Sequence, residues 1–322
     1  QGNYSVARVF PNSGGYKDVE AKFGDNVIYS MPNGSTFNMT FNFNRIAYSA
    51  TSKKTDAEKD STHKAIMNKN FRLAIEFAIN KPEYRAQSVG KTGAEKGIRN
   101  MLTPSEFVTV DGKAYGAVVE EKLKALDKET FGKVKLEDGQ NGWYDADKAK
   151  ELIEKAKSEL QGQGVQFPIH LDLPQSETSE VNVNQAKSLK HSIETALGSD
   201  NVVIDIQLLN DDAYYAATYQ ATTAADADYD ISTASGWGPD YQDPSTYLDI
   251  YNSRTGAQLQ NLGLEPSEIA KDNPSAEIVK ELNLAEYDAL LDKAAAITSQ
   301  EDINKRYEAY AEAEAWLTAN AL

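Results

Sequence analysis

The chain contains no cysteine. Disulfides, thiolate metal sites and thiol nucleophiles are therefore excluded at the outset. Histidine is scarce: His63, His170 and His191 stand far apart, and none has a second ligand at metal spacing. His191 falls on a Lys-rich helix face, where a solvated imidazole is expected. No apolar run approaches the roughly 20 residues that span a bilayer. Positive charge is in deficit, since 33 Lys and Arg face 49 Asp and Glu for a net charge of −16. Nucleic acids and anionic membranes attract Lys and Arg, so neither is expected as a partner. Neither a Gly-x-Ser-x-Gly elbow nor a phosphate-cradling glycine loop ending in Lys-Ser/Thr is found. No enzyme and no cofactor are expected.

What is present is a chain able to fold. Its 322 residues allow one large domain or two ordinary ones, and 40% hydrophobic with 25% charged residues is an ordinary globular balance. It opens Gln1-Gly2-Asn3 without an initiator Met or signal sequence and stops at Ala321-Leu322 within an amphipathic stretch, so a piece of a longer protein is expected. Residues 1–37 are turn-rich, punctuated by Pro11, Gly14, Gly15, Pro32 and Gly34. Phe37, Met39, Phe41 and Phe43 then alternate with polar residues as in a half-buried strand. The Lys/Asp/Ser-rich segment 49–64 is expected to be an exposed loop. In 70–80, Phe71, Ala74, Ile75 and Ala78 share a helical face that Lys81-Pro82 interrupts.

After an irregular stretch with a short helix at 120–126, the pattern becomes regular. Asp145 is placed to cap a helix striped by Ala149, Leu152, Ile153, Ala156 and Leu160 and closed by Gly162. A strand comes next at 167–173, then a helix striped by Ala186, Leu189, Ile193 and Leu197 with Gly198 behind it. A second strand spans 202–208, a short helix 212–219, and a third strand 229–235. Strands alternating with helices indicate an α/β, or mixed α+β, fold with parallel pairings. Two helices at the end carry stripes of Tyr287, Leu290, Leu291, Ala294 and of Ile303, Tyr307, Tyr310, Leu317.

The conspicuous segment is Ala234-Ser-Gly-Trp-Gly-Pro-Asp-Tyr-Gln-Asp-Pro244, directly after a strand, where open α/β sheets tend to bind ligands. Gly236 and Gly238 flank Trp237 and leave space for another backbone. Trp237 and Tyr241 offer flat walls with polar edges, and Asp240 can accept a charged hydrogen bond from an ammonium group. A tight turn carrying a core Trp is the competing reading. Asp243-Pro244 has a local explanation as N-cap and first residue of a helix over 245–251.

Three segments in this order resemble the family-5 extracellular solute-binding proteins, many of which are oligopeptide receptors of ABC importers. The first is the strand Phe41-Asn-Phe-Asn44 with the later helix Phe71-Arg-Leu-Ala-Ile-Glu-Phe-Ala-Ile-Asn-Lys81. The second is the helical text from Tyr144 to Lys157, and the third, the specific one, is Gly236-Trp-Gly-Pro-Asp-Tyr-Gln-Asp-Pro244. The resemblance implies a periplasmic-binding-protein-like lobe, its mostly parallel or mixed sheet flanked by helices, in a two-lobed clamp. Residues 1–37 would end the first lobe, and 38–322 would be the second, C-terminal lobe without its return segment. It implies main-chain pairing and a wall from Gly236, Trp237 and Gly238, an amine contact at Asp240, and a cleft-facing Asn42. Some members carry an Arg where this chain has Ala234, so a carboxylate contact there is lost. It further implies a monomer that serves a membrane permease, extracytoplasmic and lipid-anchored in its full-length form. A same-fold receptor for another small ligand, or a surface receptor uncoupled from transport, stays open.

Overall fold

The structure is a computed structural model describing Ser5 and residues 15–28, 32–270 and 272–322. Pro11 and Gly14 of the turn-rich opening therefore lie outside the described residues. Within that opening, Tyr16–Phe23 forms helix α1. Strand β1 is Thr36–Phe41. Its apolar alternation is real but graded: Phe41 and Phe43 are buried, Met39 half-buried, and Phe37 73% exposed. One end of β1 is thus core and the other is surface.

The segment expected as an exposed loop is not one. Helix α2, Asp56–Met67, starts inside it, capped by Thr55, whose side chain accepts from Glu58 N while Glu58 reaches back to Thr55 N. Its buried face is made partly of Ser61 and Thr62 beside Ala65 and Ile66, so its hydrophobic signal is weak. The residues before it fold inward, and Lys53 is 5% exposed. Helix α3, Lys69–Ala78, begins at an Asn68 cap and buries Phe71, Ala74, Ile75 and Ala78. Pro82 both follows its end and sits in the first turn of α4, Lys81–Gly93, where a missing N–H costs nothing.

A two-residue hairpin, β2 (Thr109–Val110) and β3 (Lys113–Ala114), leads into α5, Tyr115–Leu126, longer than the helix read at 120–126. After the single-turn α6, Lys128–Phe131, helix α7 runs Ala146–Leu160 with Asp145 accepting from Asp147 N and Lys148 N. The left-handed residue behind it is Gly164 (φ 74°) rather than Gly162. Strand β4 is Ile169–Ser176, α8 Glu180–Leu197 with Gly198 at φ 84°, β5 Val202–Leu209, α9 Asp211–Ala217, and β6 Ile231–Trp237. The chain then runs through α10 (Ser245–Leu248) and α11 (Ala276–Glu281) to α12 (Leu284–Ala295) and α13 (Ile303–Ala319).

The class is mixed α/β, as the pattern indicates, but the sheet is not one parallel ladder. β4 and β5 pair in parallel from Ile169↔Val202 to Ser176↔Leu209, while β6 pairs antiparallel with β1. A single backbone bond, Asp230 N–H to Asp172 O at 3.1 Å, joins the two pairs. Beyond it β6 and β4 stay neighbours without a further backbone bond among the described residues. Helices α3, α7 and α8 pack together with α8 against both parallel strands, and α13 packs on α5 and α12. Leu171, Leu173, Ile193, Ile204, Phe71 and Ile75 belong to one continuous core.

Candidate ligand-binding site

The carboxyl end of β6 is shaped by its partner strand. Register runs Thr36↔Trp237, Phe37↔Gly236 and Asn38↔Ser235, then shifts before Thr40↔Ser232. Between Asn38 and Thr40 one residue, Met39, faces two, Thr233 and Ala234. Such a bulge bends a strand and re-aims the residues beyond it. At Gly236 an added Cβ would stand 2.7 Å from Phe37 Cδ1 and 2.9 Å from Thr36 O, so only glycine lets the Phe37 ring cross β6 there. The turn after β6 is seated on the segment before β1. Gly34 packs on Pro239, and Tyr247 Oη donates to Gly34 O while its ring meets Phe107 edge-on at 5.1 Å.

On this frame Gly236, Trp237, Gly238, Asp240 and Tyr241 form one contiguous strand end and turn. Trp237 is half-buried, with its Nε1 closed off from solvent and without a partner among the described residues. Asp240 is exposed. Its backbone N–H donates to Thr246 Oγ1 at 2.9 Å, and its carboxylate makes no ion pair among the described residues. Tyr241 is 54% exposed, its hydroxyl 3.2 Å from Ser245 Oγ. Among the described residues, no backbone hydrogen bond reaches β6 beyond Asp230 on the edge turned from β1. Gln175 Nε2 spans that gap once, to Thr233 Oγ1 at 3.0 Å. The arrangement is therefore a strand edge without backbone partners, buried over much of Ile231–Ser235 and leading to an exposed, unpaired carboxylate.

Asn42 is not part of it. It lies past the Phe41↔Ile231 pair at the other end of β6, roughly 20 Å along the strand by its rise per residue. Its amide is 2% exposed, with Nδ2 donating to Ala227 O at 2.9 Å and Oδ1 accepting Asn44 N–H at 3.0 Å. Expected to face the cleft, it is instead a buckle within the fold, because its donor and acceptor groups have internal partners. Asp243 is structural, as expected, with a shifted cap: the helix starts at Ser245, whose N–H Asp243 accepts at 3.1 Å. Asp243 also pairs with Arg306 at 2.8 Å, which together with the Ser245 bonds holds its carboxyl below the usual range against the opposing effect of burial.

One constellation is all but silent in the sequence. Arg45 reaches Asp172 (2.6 Å), Asp228 (2.8 Å) and Asp230 (3.0 Å), and Lys53 reaches Asp172 (2.8 Å) and Asp230. All five side chains are almost fully buried. Burial opposes ionisation of Asp172, but Lys53 beside it wins and depresses its pKa. At Asp230 burial dominates and the pKa rises even though Arg45 and Lys53 face it. The cluster straps residues 45–53 across the junction of β4 and β6, so it positions the root of the open strand. An aspartate inside the apolar alternation of β4 is its only sequence signal. His170 Nδ1 meets Asp205 at 2.7 Å, and His191 is exposed.

The family model of the bacterial extracellular solute-binding proteins, family 5, middle region, matches residues 1–258. The chain belongs to this family. Over 321 residues it is 48% identical to the oligopeptide-binding protein AliB of Streptococcus pneumoniae serotype 4, covering all of this chain and 48% of AliB. With the oligopeptide-binding protein SarA of Streptococcus gordonii the identity is 44%, over all of this chain and 47% of SarA. The chain spans about half the length of these curated relatives. Two solved structures show the same fold at 23% identity. The substrate-binding domain of an oligopeptide ABC transporter from Bacillus anthracis str. Ames has a TM-score of 0.56, covering 90% of this chain and 43% of that one. Listeria monocytogenes OppA bound to peptide has a TM-score of 0.55, covering 93% and 44%.

Proposed function

We propose that this chain is the ligand-holding part of an extracytoplasmic receptor that captures oligopeptides and hands them to the membrane permease of an ABC importer. The observation that carries the reading is the open edge of β6 ending at the exposed, unpaired Asp240. An extended peptide adds to such an edge through main-chain hydrogen bonds, which supply affinity without reading side chains. Its free amino terminus meets Asp240, a charged hydrogen bond worth about 1.5–3 kcal/mol. Gly236 seats the Phe37 ring beside the strand, Gly238 permits close approach, and Trp237 and Tyr241 wall the first residue. The receptor carries its ligand and performs no chemistry. Membership in an extracellular solute-binding family supports the location, and oligopeptide-binding relatives support the ligand class. In the full-length protein, residues 1–37 are the tail end of the first lobe and the crossover from it, 38–322 form the second lobe without its return segment, and a lipid anchor holds the monomer at the cell surface.

The test is Asp240→Asn in the full-length protein, titrated calorimetrically with peptides bearing a free or an acetylated amino terminus. The wild type should prefer the free amine by roughly tenfold or more, and the variant should lose that preference. Equal discrimination by both proteins would remove Asp240 from the amine role.

A further inference from the structure

Strands β4 and β6 are neighbours, yet the bond from Asp230 N–H to Asp172 O is the one backbone link between them among the described residues. The reason lies on β4. Ile169 N–H donates to Asn201 O and Glu177 N–H to Leu209 O, so the odd-numbered residues of β4 turn their main-chain groups toward β5. Alternation turns those of His170, Asp172, Pro174 and Ser176 toward β6. At each of the four a group that a ladder needs is spent or missing. His170 O accepts Thr62 Oγ1 at 3.0 Å, and Ser176 O accepts Ser179 N–H at 3.3 Å. Asp172 N–H goes to Asp230 Oδ2 at 2.7 Å, a side chain standing where a main-chain carbonyl would bond. Pro174 has no N–H to give.

Two of these choices carry a cost. Proline in a strand flanked on both sides removes a ladder bond, and Pro174 is buried. Asp230 is 2% exposed, and a buried carboxylate needs opposite charge beside it. Lys53 and Arg45, the latter at 3.0 Å, supply that charge. Asp172 and Asp228 already match these two cations one for one, so the third carboxylate is surplus to charge balance. What Pro174 and Asp230 share is their place: both stand where pairing between β4 and β6 stops. From there to Trp237, β6 has no backbone partner on this edge among the described residues.

We propose that Pro174 and the carboxylate of Asp230 are positioning residues for ligand capture, which stop the β4–β6 ladder and so hold the edge of β6 free for the ligand's main chain. Both act through β6 rather than by touching the ligand. The inference rests on the peptide reading above and adds to it the residues that create the edge.

The full-length wild type is compared with Pro174→Ala, which returns the missing N–H, with Asp230→Leu, which releases Asp172 N–H, and with Asp230→Asn, which keeps an acceptor for it. Amide hydrogen exchange over residues 231–235 is followed by mass spectrometry without ligand, and an alanine hexapeptide with a free amino terminus is titrated calorimetrically. In Pro174→Ala and Asp230→Leu the ladder should extend, so that exchange slows and the hexapeptide binds roughly tenfold or more weakly. Urea should unfold Pro174→Ala no earlier than the wild type, which separates a closed edge from a damaged fold. Asp230→Asn should exchange and bind like the wild type. Wild-type affinity in both Pro174→Ala and Asp230→Leu, or weaker binding with exchange unchanged or faster, overturns the inference and leaves peptide capture standing. Failure of the wild type to bind the hexapeptide overturns the peptide reading and this inference with it.

Discussion

At the scale of single residues, the chain places ionisable groups where they cost stability and balances most of them. Arg45 and Lys53 against Asp172, Asp228 and Asp230 is the balanced case, since each buried charge has an opposite charge within 3 Å. Glu314 on α13 is the unbalanced one. Its Oε1 accepts Thr103 N–H at 2.7 Å, and its Oε2 is buried without a partner among the described residues. Burial raises its pKa from the ordinary 4.5 to about 7, with Thr103 pulling the other way. Tyr115 and Tyr287 face it and stay neutral, burial having raised both well above their ordinary value. The folded state therefore holds this proton more tightly than the unfolded chain. Glu314 imposes no penalty below the unfolded value of 4.5, stability falls as pH rises from there to about 7, and the loss levels off above it. The difference between the two values corresponds to about 3 kcal/mol, fully expressed above pH ~7. Glu314→Gln keeps an acceptor for Thr103 and cannot ionise. Urea titrations should show the variant gaining stability on the wild type between pH ~4 and pH ~8. Stability curves that run parallel across this window would assign the titration to another group.

At the scale of elements, β6 owes its form to small residues. Gly236→Ala puts a methyl into Phe37 and Thr36 O, both fixed by the β1 ladder, and should cost about 1–3 kcal/mol of stability as well as ligand affinity. At Gly238 the nearest atom to an added Cβ is Ser35 Oγ at 3.1 Å, a hydroxyl that can rotate away, so Gly238→Ala should be nearly neutral in the same urea titrations. Equal losses at the two positions would show that backbone freedom, and not the Phe37 crossing, sets the requirement. The glycine-flanked Trp237 and the carboxylate of Asp240 were legible because the motif is local: strand, turn and helix start succeed one another within a dozen residues. Helices α7 and α8 were legible through their apolar stripes. The strap at 45–53 and helix α2 were not, and the cause is physical. Their Lys, Asp and Ser content reads as solvated, whereas the charges of the strap are neutralised by partners 119 residues away or more. The buried face of α2 includes hydroxyls, and Thr62 donates to His170 O across 108 residues. Long-range pairing leaves no periodic trace. The cap at Thr55 and Glu58 was the one local sign that a helix begins there. Asn42 differs for the converse reason, since a motif position says where the backbone runs and not which way an amide is spent.

At the scale of the whole molecule, the site faces outward. Phe37 is 73% and Tyr241 54% exposed, and Asp240 is exposed beside them. A peptide laid along β6 would be paired on one edge and wet on the other. Each main-chain hydrogen bond exchanged against water nets only about 0.5–1.5 kcal/mol. Association and ordering of the ligand consume about 4 kcal/mol or more of that gain. A handful of bonds and one ammonium–carboxylate contact therefore fall short of the roughly 8 kcal/mol that micromolar affinity requires. Enclosure by a second surface would remove that shortfall, because it desolvates the Asp240 contact and buries the apolar walls at Phe37 and Trp237. The 322 residues alone should bind an oligopeptide at least about a hundredfold more weakly than a full-length receptor carrying the same segment, compared by calorimetry with one ligand. Micromolar or tighter binding by the isolated segment would mean that the strand edge already forms a complete site, and that closure serves delivery instead of capture.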